Sequence, residues 1–228
     1  MSQTHPFKPI FDKNSKILIL GSFPSVISRK FGFYYTNPQN RFWRVLAGVL
    51  NTAVPESKDE KIKFLLSHHI AIYDAAISCE IEGSSDAKMS KIIPVNLEPI
   101  FSGARIAQVF ANGGKAYEIC KKYLEDEIIK ATKNEVIKLP STSPANAKFS
   151  LEKLKCEWKV VANTLRDSQN IKLEYRPYSA SNLTSLLSSP TLCFTSLNFW
   201  INLFLFSLSI KFIPLFVDDA LCILLSLA

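Results

Sequence analysis

KILILGSFPSVISRKFGFYYTNPQNRFWRVLAGVL, residues 16–50, sets out strand, loop and helix in the order that decides the fold. KILIL is a short unbroken apolar run, the pattern of a strand buried on both faces, and Gly21 and Pro24 stop it in a sharp turn. After Asn40, RFWRVLAGVL places Phe42, Trp43, Val45, Leu46, Val49 and Leu50 at helical spacing, with the arginines on another face. An amphipathic helix packed on a sheet is expected there.

The same alternation continues outward. Residues 58–69 have helical composition and residues 70–74 read as a strand with Asp74 near its end. Residues 105–111 (RIAQVFA) form a third strand, Gly113 and Gly114 break it, and residues 115–130 suit a helix. Residues 135–139 supply a fourth strand ending at Pro140, STSPANA forms a loop, and Ser150 caps a helix running to about residue 167. Strands alternating with helices predict an α/β domain, a three-layer α/β/α sandwich with a short, mainly parallel four-stranded sheet. Such sheets bind ligands beyond the carboxyl ends of their strands, where all three distinctive loops fall.

The chain has 228 residues and a net charge of +7. Lys211, Asp218 and Asp219 are the sole charges beyond Arg176, so the segment up to Tyr178 carries about +8 and suits a polyanionic partner. Cys79, Cys120, Cys156, Cys193 and Cys222 are irregularly spaced, without a C-x-x-C pair or flanking histidines, and read as reduced structural thiols rather than metal ligands. His5, His68 and His69 have no matched partner in the sequence and are assigned to loops or a helix end. The N-terminus lacks the apolar core of a signal peptide, so synthesis in the cytosol with action in the cytoplasm or a nucleus is expected. A folded domain is placed at residues 1–170 and an apolar extension at residues 171–228. Residues 179–210 carry no charge and are rich in Ser, Leu and Phe; a poor membrane anchor, an extra packed helix and a non-native extension all stay open.

Residues 21–46 (GSFPSVISRKFGFYYTNPQNRFWRVL) and residues 139–147 (LPSTSPANA) together resemble the two active-site motifs of the uracil-DNA glycosylase superfamily. GSFPS with YYTNPQNRFW resembles its deoxyinosine (hypoxanthine) branch, and the resemblance spans residues 15–167. It implies a monomeric enzyme that flips a damaged nucleotide from DNA containing deaminated bases and hydrolyses its N-glycosidic bond without metal or cofactor.

By that resemblance Asn40 is the catalytic position. Its carboxamide oxygen can hold the attacking water and face the positive charge that develops on the sugar. The competing reading, a helix cap before RFW, is physically sound, and one residue can do both. Gly21, Ser22, Phe23 and Pro24 are expected to shape a base pocket, with Phe23, Tyr34, Tyr35 and Phe42 as candidates to stack on a purine; Phe42 and Trp43 also fit the helix's core face. Asn112 lies where relatives place a base-reading loop, and its amide offers a donor and an acceptor; a plain turn asparagine is the alternative. Asp74 and Ser78, in IYDAAISCEIEGSSD, either face the pocket or sit on a surface turn. Ser141, Thr142, Ser143, Pro144, Ala145 and Asn146 suit contact with a DNA phosphate and insertion beside the vacated base; an ordinary strand-to-helix turn, with Asn146 as a cap, is the alternative. Two departures from the family pattern stand out: Ser22 occupies a position where several relatives carry a catalytic Asn or Asp, and Leu139 precedes Pro140 where the classical enzymes have a histidine. Uracil or xanthine as substrate, and a catalytically silent DNA-binding module, are the alternatives.

Overall fold

The computed structural model describes residues 2–81 and 89–174, with side chains as far as Ser168, and all of them belong to one compact unit. The expectations for residues 175–228, and for the end of IYDAAISCEIEGSSD, lie outside the described residues. In chain order the elements are β1 (Ser2–Thr4), β2 (Ile17–Gly21), α1 (Val26–Phe31), α2 (Phe42–Leu50), α3 (Lys58–Ser67), β3 (Ile70–Asp74), β4 (Ala76–Glu80), β5 (Ser90–Pro94) and α4 (Glu98–Gly103). There follow β6 (Gln108–Asn112), α5 (Gly114–Ile119), a π-helical turn over Cys120–Leu124, α6 (Glu125–Thr132), β7 (Ile137–Leu139) and α7 (Leu151–Glu174).

The main sheet has the order β3-β2-β6-β7 with every pairing parallel. Side chains alternate between the two faces of a strand, yet all five residues of β2, of β3 and of β6 are buried. Both faces are therefore covered, as parallel sheets require. This is the helix-covered α/β sheet expected from the alternation of apolar runs. On α2, Phe42, Trp43, Val45 and Leu46 are buried, and α2 packs against α7, whose fully buried Trp158 donates its indole N–H to Pro140 O at 3.0 Å. At the head of α3, Ser57 and Glu60 close a capping box, which satisfies two amides that the helix leaves unpaired.

The structure differs from the sequence reading in several features, among them the helices α1 and α4, which lie in stretches read as loop or left unassigned. β1, β4 and β5 form a second, antiparallel sheet in the order β1-β4-β5; SQT and AISCE are short and partly polar, so their pairing rests on tertiary contacts rather than on periodicity. The helix expected over residues 115–130 is interrupted by the π turn, so its second half is re-phased as α6. The last helix begins as expected, with Ser150 Oγ accepting the Lys153 amide at 3.2 Å, and continues to Glu174, beyond both residue 167 and the boundary drawn at residue 170.

Candidate active site

Gly21, Asp74, Asn112 and Leu139 are the last residues of β2, β3, β6 and β7, and the pairing sets Gly21 beside Asp74 and Asn112 beside Leu139. The loops that leave this edge enclose a cavity of about 240 Å³. That is below the roughly 300–1,000 Å³ of clefts for drug-sized ligands and suits one planar base. Its walls include Gly21, Ser22, Phe23 and Pro24 from the first loop, Tyr34, Tyr35, Asn37 and Asn40 from the approach to α2, and Asp74 and Asn112 from the strand ends. Ser141, Thr142, Ser143, Pro144 and Ala145 complete it from the loop after β7.

Asp74 is 4% exposed, and its Oδ2 lies 2.9 Å from Nε2 of buried His5. Its other oxygen presses on β2: a Cβ built on Gly21 would stand 2.1 Å from Asp74 Oδ1 and 2.9 Å from the Tyr35 hydroxyl. Glycine is required here for space. His5 arrives on the N-terminal segment, which is held by the His5 amide donating to Ile77 O, by Tyr34 Oη donating to Lys8 O and by a bridge between Ile10 and Ile72. Burial, reinforced by the Asp74 charge, pushes the Tyr34 hydroxyl far above the usual phenol range, so Tyr34 is a neutral donor to that carbonyl.

Tyr35 has φ 50°, an unusual conformation for a bulky residue, and its ring stacks on Phe42 at a centroid distance of 3.9 Å and an interplanar angle of 12°. Asn112 Nδ2 donates to the Tyr35 hydroxyl at 3.1 Å and to Thr142 Oγ1 at 3.0 Å, while Asn112 Oδ1 accepts the Thr142 amide at 3.0 Å. Both amide protons are thus committed to the protein, and Asn112 serves first as the tie between Tyr35 and the 141–146 loop. One lone pair on its oxygen remains beyond the bonds described.

Asn40 stands on the cavity wall with Oδ1 accepting the Phe42 amide at 3.0 Å. Asn40 is not the N-cap, which is Arg41; from one residue earlier it satisfies the first amide of α2, and the same bond fixes the carboxamide's orientation at the cavity. The next residue, Arg41, sends its guanidinium to the carbonyls of Thr142 (3.3 Å), Ser143 (2.6 Å), Asn146 (3.0 Å) and Phe149. Burial, with Arg44 beside it, lowers the Arg41 pKa, but an arginine stays charged in a protein. The loop that completes the cavity is therefore wound around a cation supplied by the first motif.

Several sequence assignments change. Phe42 does not line the cavity; it is fully buried behind Tyr35 and meets Trp158 edge-on, so it backs the Tyr35 ring from the core. Trp43 is core as well, stacked on Phe33 with Lys61 over its ring. Ser78 is not on a turn or on the cavity wall: it pairs with Thr4 in the small sheet and its hydroxyl lies 3.1 Å from that of Ser2. Thr142 is completely buried, and Asn146 turns its amide back onto Ser141 O at 2.9 Å. Ser141 and Ser143 remain half-buried at the cavity, and Pro144 and Ala145 are the exposed tip. His5, Asn37 and Arg41 were missed. Asn37 and Arg41 lie inside the quoted motif, but no local pattern marks a histidine 69 residues from its partner. Among the described residues, no group of three His, Cys, Asp or Glu side chains is placed to hold a metal ion.

The model of the family described as the uracil DNA glycosylase superfamily matches residues 8–165. A protein named hypoxanthine DNA glycosylase from Methanosarcina acetivorans is 32% identical over 163 residues, covering 68% of this chain and 95% of that protein. One of the same name from Methanosarcina barkeri is 30% identical over 155 residues, covering 67% and 93%. The solution NMR structure of a Methanosarcina acetivorans protein assigned as a uracil DNA glycosylase superposes with a TM-score of 0.61 at 29% identity, covering 73% of this chain and 99% of that one.

Proposed function

The chain belongs to the uracil DNA glycosylase superfamily, and we propose that it is a monofunctional DNA glycosylase that takes a flipped hypoxanthine into the cavity at the sheet edge and hydrolyses its N-glycosidic bond. The observation that carries the reading is the meeting, in one base-sized cavity, of a stacking ring (Tyr35), an oriented carboxamide (Asn40) and an acceptor carboxylate (Asp74). The two relatives named hypoxanthine DNA glycosylase favour hypoxanthine over uracil or xanthine.

In this mechanism the duplex lies across the loop mouths, drawn by the chain's positive charge. Pro144 and Ala145, exposed on a loop braced by Arg41, enter the space the base vacates, and the hydroxyls of Ser141 and Ser143 meet the flanking phosphate. The base slides over Tyr35, whose far face is already filled by Phe42, so the ring is rigid before the base arrives. The second lone pair of Asn40 Oδ1 aligns the attacking water and faces the cationic sugar as the bond to the base lengthens. The base leaves with the glycosidic electron pair and is protonated from solvent; water supplies the hydroxyl at the sugar carbon and releases its proton to bulk. The protein acts as a monomer, on DNA in the cytoplasm or a nucleus.

The test is alkali cleavage of end-labelled duplexes carrying one hypoxanthine, uracil, xanthine or normal base after incubation with the full chain. Scission at hypoxanthine above all others is expected. Dominant scission at uracil would overturn the substrate, and no scission by a protein that binds the duplex would favour a silent binding module.

A further inference from the structure

His5 is buried, its Nε2 is 2.9 Å from Asp74 Oδ2, and its Nδ1 is 3.1 Å from both the amide nitrogen and the carbonyl oxygen of Phe7. A carboxylate oxygen can only accept, so Nε2 carries a proton and donates it to Asp74, whether Nδ1 takes the Phe7 amide proton or gives one to the Phe7 carbonyl. The rings of Phe7, Phe23, Tyr34 and Tyr73 surround the imidazole at centroid distances of 5.0 to 6.0 Å, so it has no room to turn away. Asp74 Oδ2 is therefore claimed, and Oδ1 is the oxygen beside Gly21, on a residue that lines the cavity.

We propose that His5 is a positioning residue which, through Asp74, sets the bases this pocket accepts. An ionised carboxylate oxygen is an acceptor and nothing else. It pairs with a ring N–H, which hypoxanthine presents at N1 beside its 6-oxo group. Adenine presents a lone pair at N1 beside an amino group, and a lone pair set against a carboxylate in a closed site is left unsatisfied, the situation that gives polar pockets their strongest discrimination. The pair thus distinguishes the deaminated purine from its parent. This assignment rests on the hypoxanthine reading above and adds to it a residue outside the cavity wall.

The geometry gives the pair an unusual genetic signature. In Asp74→Asn, His5 Nε2–H keeps the amide oxygen, so the amide's NH₂ faces the cavity and a donor replaces the acceptor. Removing His5 as well frees the amide to turn its oxygen back to the base. His5→Ala therefore lowers excision in the parent background and raises it in the Asp74→Asn background, an inversion that a purely structural histidine would not produce.

The experiment is single-turnover excision of hypoxanthine and of adenine, in otherwise identical duplexes, by the full chain and by His5→Ala, Asp74→Asn and the double variant, with circular dichroism on each. Asp74→Asn is expected to lose about 100-fold or more on hypoxanthine and to shrink its preference over adenine, and the double variant to regain about 10-fold over Asp74→Asn. An unchanged base preference in Asp74→Asn, or losses that simply accumulate in the double variant, would overturn the assignment. A parent inactive on hypoxanthine would instead sink the functional reading itself, and this assignment with it. If a variant does not fold, the His5 ¹⁵N resonances of the parent decide: a protonated Nε2 supports the assignment and a non-protonated one refutes it.

Discussion

Gly21→Ala probes the closest approach in the site. The added methyl would lie 2.1 Å from Asp74 Oδ1 and 2.9 Å from the Tyr35 hydroxyl, where ordinary contact begins at 3.4 Å. Relief requires the carboxylate to retreat by more than an ångström, which breaks its alignment with His5 at 2.9 Å. Gly21 lies in an extended strand rather than at positive φ, so the cost is one of space and not of backbone conformation. Overpacking alone costs about 1–3 kcal/mol, and loosening a hydrogen bond to a buried carboxylate costs about 1.5–3 kcal/mol. We expect about 3 kcal/mol less stability in urea, followed by tryptophan fluorescence, with an unchanged denaturant slope. Excision should fall by about 100-fold, because the displaced carboxylate no longer presents its acceptor to the base. Gly114→Ala is the control: the nearest foreign atoms to its added Cβ belong to Lys138 at 3.9 Å, and a helical alanine is favoured by up to about 1 kcal/mol over glycine. Parent-like stability and excision in Gly21→Ala would refute the claim that the strand end is shaped around Asp74.

Arg41→Met removes a cation that four loop carbonyls share, and charge-assisted bonds are worth about 1.5–3 kcal/mol singly and do not add fully. A stability loss of about 3 kcal/mol by urea unfolding is expected, together with weaker duplex binding by fluorescence anisotropy; unchanged binding would separate the loop from DNA contact. Burial pushes the Cys120 thiol up to about 12 from 9.0, so the folded state favours the protonated form. That stabilisation is complete below pH 9 and is lost as pH rises toward about 12, so a Cys120→Ala variant should show a flatter fall in urea stability over that window. In the native protein at pH 8, maleimide should label exposed Cys156 and spare buried Cys120; rapid labelling of Cys120 would show that its surroundings open.

The main sheet was legible because β2 and β3 are unbroken apolar runs and because Gly21 and Gly113 mark where strands end. The helix α2 was legible from spacing alone. The small sheet was not: SQT and AISCE have no decisive period, and they pair because the chain's start is folded back beside the end of β3. The site divided in a similar way. Asn40, Tyr35 and the 141–145 loop could be placed because they sit in contiguous motifs. Phe42 was ambiguous in principle, since the same aromatic ring serves a core face or a base, and full burial behind Tyr35 decides for the core. His5 was set aside for lack of a partner in the sequence, and its partner is 69 residues away. Arg41 read as the polar face of a helix, whereas its guanidinium organises a loop about a hundred residues downstream.

The most direct test of the account is single-turnover excision of hypoxanthine from a duplex by the parent and by Asn40→Ala, with duplex affinity measured alongside. Loss of the bond to the Phe42 amide costs about 1 kcal/mol of stability, too little to unfold a domain, so the variant remains a fair comparison. The account predicts a parent that releases hypoxanthine and a variant that binds the duplex equally well but releases the base at least about 100-fold more slowly. Equal rates would contradict the assignment of Asn40, and absence of product from a folded, duplex-binding parent would contradict the glycosylase reading as a whole.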